Sequence, residues 1–213
     1  MTPAVLSADE RAGETRERIV TQAEQYFRQF GYQKTTVADI ARALRMSPAN
    51  VYRFFDSKKA INEAVASRLM GEVEAELAVI AAGTEAPPER LRRFARAMHQ
   101  ANAKRYMGDR FMHEMVAVAL DESWDVVHGH IMRLDALVGS IIADGLRSGD
   151  FSVQNPAVAS RCVHASLVKF CHPMILSQCA KGDPGPDLDS MVDFILRGLG
   201  AGSGTAPGTR PSS

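Results

Sequence analysis

Three features of the 213-residue sequence predict an all-α protein. Apolar residues recur with the 3.6-residue helical period in almost every segment. No stretch alternates long enough to form a strand, and turn-forming residues punctuate the periodic runs. The composition, 46% apolar and 23% charged, is that of an ordinary folded chain and disfavours disorder, a collagen repeat or a disulfide scaffold.

About nine helices follow from the pattern. The first covers residues 15–30, with Ile19, Val20, Ala23, Phe27 and Phe30 on one face and Gly31 as its C-terminal stop. The second starts after Thr36 as N-cap, with Asp39 complementing the helix dipole and Val37, Ile40, Ala41 and Leu44 facing inward. The third spans residues 47–55, opened by Ser47 as N-cap with Pro48 in the first turn. A long fourth helix, residues 56–83, repeats Ile61, Val65, Leu69, Val73 and Leu77 every four residues and is expected to connect two domains. After the break GTEAPP (residues 83–88), helices are expected at 89–106, 109–120, 123–148, 155–180 and 187–199. Pro173 falls inside the eighth, where it removes the hydrogen bond to the Lys169 carbonyl and predicts a kink. The expected domains are a flexible arm (1–13), a first helical domain (14–60), a second (61–200) and a disordered tail (201–213).

The 25 basic and 25 acidic residues cancel. That zero conceals an asymmetry, because residues 1–60 carry ten Lys and Arg against seven acids. Their +3 balances −3 in the remainder, which places basic side chains where they could meet phosphate. Cys162, Cys171 and Cys179 form no CxxC pair, which favours a reducing compartment. No signal-like start is present, and no apolar run approaches the ~20 residues of a membrane helix, so a cytoplasmic location without membrane partners is expected.

Residues 36–55 form two short helices joined by a turn at 44–46, the geometry in which a second helix enters the DNA major groove. Helix pairs of this kind are common, and the chemistry at their ends is more selective. Ser47, Pro48, Ala49 and Asn50 are small or hydrogen-bonding residues that let backbone approach DNA, with Tyr52 and Arg53 one turn on. Thr35 and Thr36 offer hydroxyls at the start of the second helix, and Lys58 and Lys59 lie at the N-terminus of the fourth, where free N–H groups favour phosphate.

The run TTVADIARALRMSPANVYRFFDSKKAI, residues 35–61, resembles the DNA-binding domain of the TetR family of bacterial regulators, whose pattern reads approximately TTxxxIAxxAGVSxGxxYxHFxxKxxL. Thr35, Thr36, Ile40, Ala41, Ser47, Tyr52, Phe55 and Lys58 match. Arg45 replaces the turn Gly, Ala49 a second Gly, and Phe54 a common His. The resemblance implies phosphate contacts from Thr36, Ser47, Tyr52 and Lys58. Pro48, Ala49, Asn50 and Arg53 are then the base-edge or close-backbone candidates, while the Tyr52 ring reads equally as packing and Lys59 as a solvated face.

The resemblance also implies that the remaining helices bind a ligand and form a homodimer, the last two joining the partner subunit's pair in a four-helix bundle. Pocket candidates are Met98, Phe111, Met112, Met115, Trp124, Val127, His128, Ile131 and Phe170, a Met-rich apolar set with a few polar handles; each reads also as core. No metal-ligand spacing is present: His128 and His130 point to different faces, and His164, Cys171 and His172 are spread too far along one helix. No cofactor or metal is therefore expected. The expectation is a repressor released from a pseudo-palindromic double-stranded operator by a small apolar or aromatic effector. The alternatives are a non-induced DNA-binding adaptor and, with no catalytic motif to support it, a helical enzyme.

Overall fold

The computed structural model describes residues 7–106, 110–179 and 185–201. Among the described residues there are ten helices and no strands. The chain divides into two compact units, Met1–Glu72 with Gly108–His130, and Val73–Met107 with Ile131–Ser213.

The first unit begins with α1 (Ala8–Phe30), which starts seven residues before the expected position and takes in part of what the sequence suggests is an arm. Ser7 caps it: its hydroxyl accepts from the Glu10 N–H at 3.2 Å, and the Glu10 carboxylate accepts from the Ser7 N–H at 2.7 Å. Ile19, Val20, Ala23 and Phe27 form its buried stripe. Gly31 ends it at φ 90°, ψ 152°, and a Cβ there would lie 2.9 Å from both Phe111 and Glu114. Next come α2 (Val37–Ala43) and α3 (Pro48–Tyr52), then the first turns of α4 (Lys58–Ala81), in which Ile61, Val65 and Leu69 are buried. The unit is completed by α6 (Arg110–Glu122), packed on α1, and by the start of α7 (Trp124–Ser148). Arg68 of α4 fastens onto α1, donating to Glu17 at 2.8 Å and Thr21 at 2.7 Å and pairing with Glu24.

The second unit holds the end of α4, α5 (Pro87–Tyr106), most of α7, α8 (Pro156–Cys171), α9 (Pro173–Cys179) and α10 (Leu188–Gly198). Its core joins Val73 and Leu77, Leu91, Phe94 and Met98, Val138, Ile141 and Ile142, Val163 and Leu167, and Val192, Ile195 and Leu196. The break at residues 83–88 lies within this unit, so it is a turn between α4 and α5 and not the boundary between units. There buried Arg90 donates to the Ala81 carbonyl and to Asp144, both at 2.7 Å, and the hydrogen bond from Arg90 holds the Asp144 carboxyl below the usual range.

Two expectations change. The kink at Pro173 is a complete break: His172 is extended (φ −73°, ψ 122°), because proline cannot donate to the turn behind it and pushes the preceding residue out of the helical region. Helix α7, at 25 residues, is long and apolar enough to cross a membrane by composition. Its Leu134, Val138, Ile141 and Ile142 are buried in the core of the second unit, while 28% of its most apolar stretch as a whole is buried.

Candidate nucleic-acid interface

Helix α2 opens with a reciprocal cap. The Thr36 hydroxyl accepts from the Asp39 N–H at 3.2 Å and donates to the Asp39 carboxylate at 2.5 Å, while the Thr36 N–H donates to the same carboxylate at 3.0 Å. Those bonds from Thr36 hold the Asp39 carboxyl below its usual range, and Arg42 adds an ion pair at 3.1 Å. The helix closes in a Schellman arrangement: the Arg45 N–H donates to the Arg42 carbonyl at 3.1 Å and the Met46 N–H to the Ala41 carbonyl at 2.8 Å. Arg45, at φ 57°, occupies the left-handed position.

Ser47 then caps α3, its hydroxyl accepting from the Asn50 N–H at 3.2 Å. Val51 is fully buried beneath the helix. Ser47, Pro48, Ala49, Tyr52 and Arg53 are exposed and Asn50 is half-buried, so these six expected contacts occupy one short helix and its cap. Tyr52 is 50% exposed. Phe55 is core, whereas Phe54 is half-buried.

Thr35 and Lys58 have other employment. Thr35 is 2% exposed, and its hydroxyl donates to the Gly31 carbonyl at 2.8 Å, so it is spent inside the fold and not held out to a phosphate. The Lys58 ammonium donates to the carbonyls of Tyr32 (3.0 Å) and Thr35 (3.2 Å) and lies 4.2 Å from the centre of the Tyr32 ring. Two of its three N–H donors are thus used in tying the α1–α2 loop to α4, leaving at most one for DNA. Burial pushes this ammonium below the usual lysine range, with Glu114 and Glu122 acting in the opposite direction. Lys59 pairs with Glu63 at 3.5 Å on the solvated face.

Sequence reasoning missed Arg16. Its guanidinium donates to the Phe54 carbonyl at 2.7 Å and lies 4.0 Å from the centre of the Phe55 ring, anchoring the C-terminal end of the reading helix to α1. Only its place in a basic stretch could have signalled it.

The nine pocket candidates are divided between the two units. Phe111, Met112, Met115, Trp124, Val127 and His128 belong to the first unit, and Met98, Ile131 and Phe170 to the second. Met98, Met112, Met115, Val127 and Phe170 are buried, whereas Trp124 is 54% exposed and stacks on exposed His128 with ring centres 6.3 Å apart. Phe111 lines a cavity of about 520 Å³ with Tyr26, Phe30, Lys34 and Arg42. More pointed are buried polar atoms without partners among the described residues: both amide atoms of Asn62, Nε2 of His113 and Nδ1 of His172. No cluster of three His, Cys, Asp or Glu suited to a metal occurs among the described residues.

A capped helix pair holding an exposed second helix above a buried Val51 defines a helix-turn-helix DNA-binding protein. Residues 19–65 match the family described as bacterial regulatory proteins, tetR family, and residues 87–192 match the tetracyclin repressor-like C-terminal domain. The chain belongs to the TetR family, and is thus a DNA-binding transcriptional regulator. No curated protein matches it by sequence. Among solved structures, the TetR-family regulator PfmR of Thermus thermophilus is 26% identical, over 85% of this chain and 98% of its own, with a TM-score of 0.55. Two others share the fold. RolR in complex with resorcinol is 20% identical, covering 92% of both chains, with a TM-score of 0.62. The Thermus thermophilus repressor FadR, in complex with lauroyl-CoA, is 22% identical over 93% of this chain and all of its own, with a TM-score of 0.60.

Proposed function

We propose that the protein is a cytoplasmic homodimeric repressor whose two α3 helices read successive major grooves of a pseudo-palindromic operator, and that a small apolar or aromatic effector releases it. The observation that carries this reading is the exposed face Ser47, Pro48, Ala49, Tyr52 and Arg53, presented by a capped helix whose inner residue, Val51, is fully buried. Ser47, whose cap bond uses its hydroxyl oxygen only as acceptor, keeps a proton for phosphate, whereas the Thr36 hydroxyl proton is spent on Asp39; Arg53 offers a forked donor for a base edge or phosphate.

Dimerisation is supported by α8 and α10. Their shared groove, about 320 Å³, is lined by Val158, Cys162 and Phe194, and Phe194 is 69% exposed. Exposed Val158 and Phe194 share this groove, and an apolar face of that kind suits a second copy of the chain. Effector binding is supported by Asn62 and His113, whose buried polar atoms need hydrogen bonds that none of the described residues provides. RolR and FadR, crystallised with resorcinol and with lauroyl-CoA, show that this fold accommodates an aromatic diol and an acyl chain. Release requires the effector to bind the DNA-incompetent conformation more tightly, because only differential affinity moves the equilibrium.

Selection of bound sequences from a random DNA pool should enrich an inverted repeat with half-sites about one helical turn apart, about 34–36 Å. Binding should fall with Arg53→Ala, and aromatic or acyl compounds should dissociate the complex. A pool with no enrichment refutes the regulator reading.

A further inference from the structure

Arg45 is the one non-glycine residue with positive φ among the described residues. The position belongs to glycine by its backbone, since an L side chain in the left-handed region is crowded against the following carbonyl. Asn or Asp can offset that by bonding to the nearby chain. Arginine has no such local compensation.

The Arg45 side chain also finds nothing to hold. It is exposed and makes no hydrogen bond, ion pair or ring contact among the described residues. Its neighbours in this region differ: Arg42 pairs with Asp39, and Arg16 is fixed by the Phe54 carbonyl and the Phe55 ring. A free guanidinium is therefore presented on the turn between α2 and α3, two residues before the Ser47 cap of the reading helix.

We propose that Arg45 is a DNA-contacting residue, holding a backbone phosphate at the edge of the groove that α3 enters. The inference rests on the DNA-binding reading above. A turn residue flanks the groove, where phosphates stand, and the planar fork of arginine matches a phosphate with two parallel N–H donors. The backbone strain is then retained because glycine would relieve it only by surrendering the contact.

The test compares Arg45→Gly, Arg45→Lys and Arg53→Ala with the wild-type dimer on the sequence that the wild type selects. Affinity is measured across a salt series, and thermal stability in parallel. Arg45→Gly should raise the melting temperature yet weaken binding. Loss of one phosphate contact per subunit makes the salt slope shallower by about 0.9 each, which for two subunits is roughly 60-fold at 0.1 M salt. Arg45→Lys should retain most of the affinity and the full slope. If Arg45→Gly is more stable and binds equally well with the same slope, while Arg53→Ala loses binding, the inference about Arg45 is wrong and the regulator reading stands. If neither variant loses binding, the inference about Arg45 and the assignment of α3 as the reading helix both fall. A changed base preference with an unchanged slope also overturns the phosphate assignment, in favour of a base contact.

Discussion

Replacing Gly31 by alanine should damage the interface without touching it. Two costs arise at one atom. At φ 90° and ψ 152° the backbone lies in a region essentially reserved for glycine, where another residue costs about 1–3 kcal/mol. The added Cβ would also approach Phe111 and Glu114 of α6 to 2.9 Å, and overpacking of this kind costs typically about 1–3 kcal/mol. The stiffer unfolded chain returns only about 0.4–1 kcal/mol. A net loss of about 2–4 kcal/mol corresponds to a fall of roughly 4–16 °C in melting temperature for a chain of this size. Denaturant titration at fixed protein concentration measures it, with an unchanged m-value showing that the unfolded state is not responsible. A cycle with Phe111→Ala separates the two costs, since shortening Phe111 relieves part of the contact and none of the strain. Operator affinity should weaken as well, because the Gly31 carbonyl accepts from both the Thr35 hydroxyl and the Thr35 N–H at the entrance to α2. A loss below about 0.5 kcal/mol would refute the argument from φ and contact together.

Three further outcomes are expected. Asn62→Leu keeps the branching of the side chain and removes two buried unpaired polar atoms, so it should stabilise the ligand-free protein by about 1–2 kcal/mol and blunt release of DNA by effector; destabilisation in denaturant melts would show that the amide is satisfied. Burial holds His172 below its ordinary value near 6.5, so the unfolded state binds the extra proton first: stability should decline as pH falls below about 6.5, and less steeply in His172→Gln, an identical slope contradicting the burial argument. Burial pushes the Cys171 thiol up to about 12, so at pH 8 a thiol reagent should label Cys171 only upon unfolding, whereas Cys162, exposed on the single chain, should label more slowly as protein concentration favours the dimer, which mass spectrometry of the labelled peptides resolves.

The architecture was legible where one physical demand sets the residue type. Caps at Thr36 and Ser47, the stop at Gly31 and the four-residue stripe of α4 all stand as the sequence indicates. The early start of α1 escaped an argument from periodicity because residues 8–18 have no buried face, yet the Ser-x-x-Glu box at Ser7 and Glu10 announces it. Site chemistry was harder to read. A threonine or lysine is an available donor in sequence, and only the fold shows that Thr35 and Lys58 spend their protons on carbonyls of the α1–α2 loop. Apolar residue type does not distinguish core from pocket, which is why the pocket candidates scatter over both units. The better pointers, Asn62 and His113, were visible only once their lack of partners was known.

Helices α4 and α7 each run without interruption from one compact unit into the other. At these two of its three crossings the boundary thus falls inside a helix, the third lying between Met107 and Gly108. A fragment ending at residue 60 would lack Ile61, Val65 and Leu69 of α4 and the whole of α6, and with them the cover of its own interior. Limited proteolysis should accordingly spare the crossings within α4 and α7, so that a single cut elsewhere leaves the two units joined. The DNA-binding half is not a portable module that can be grafted onto another sensor at the end of its sequence motif, and a working chimera must exchange α6 and the start of α7 along with it.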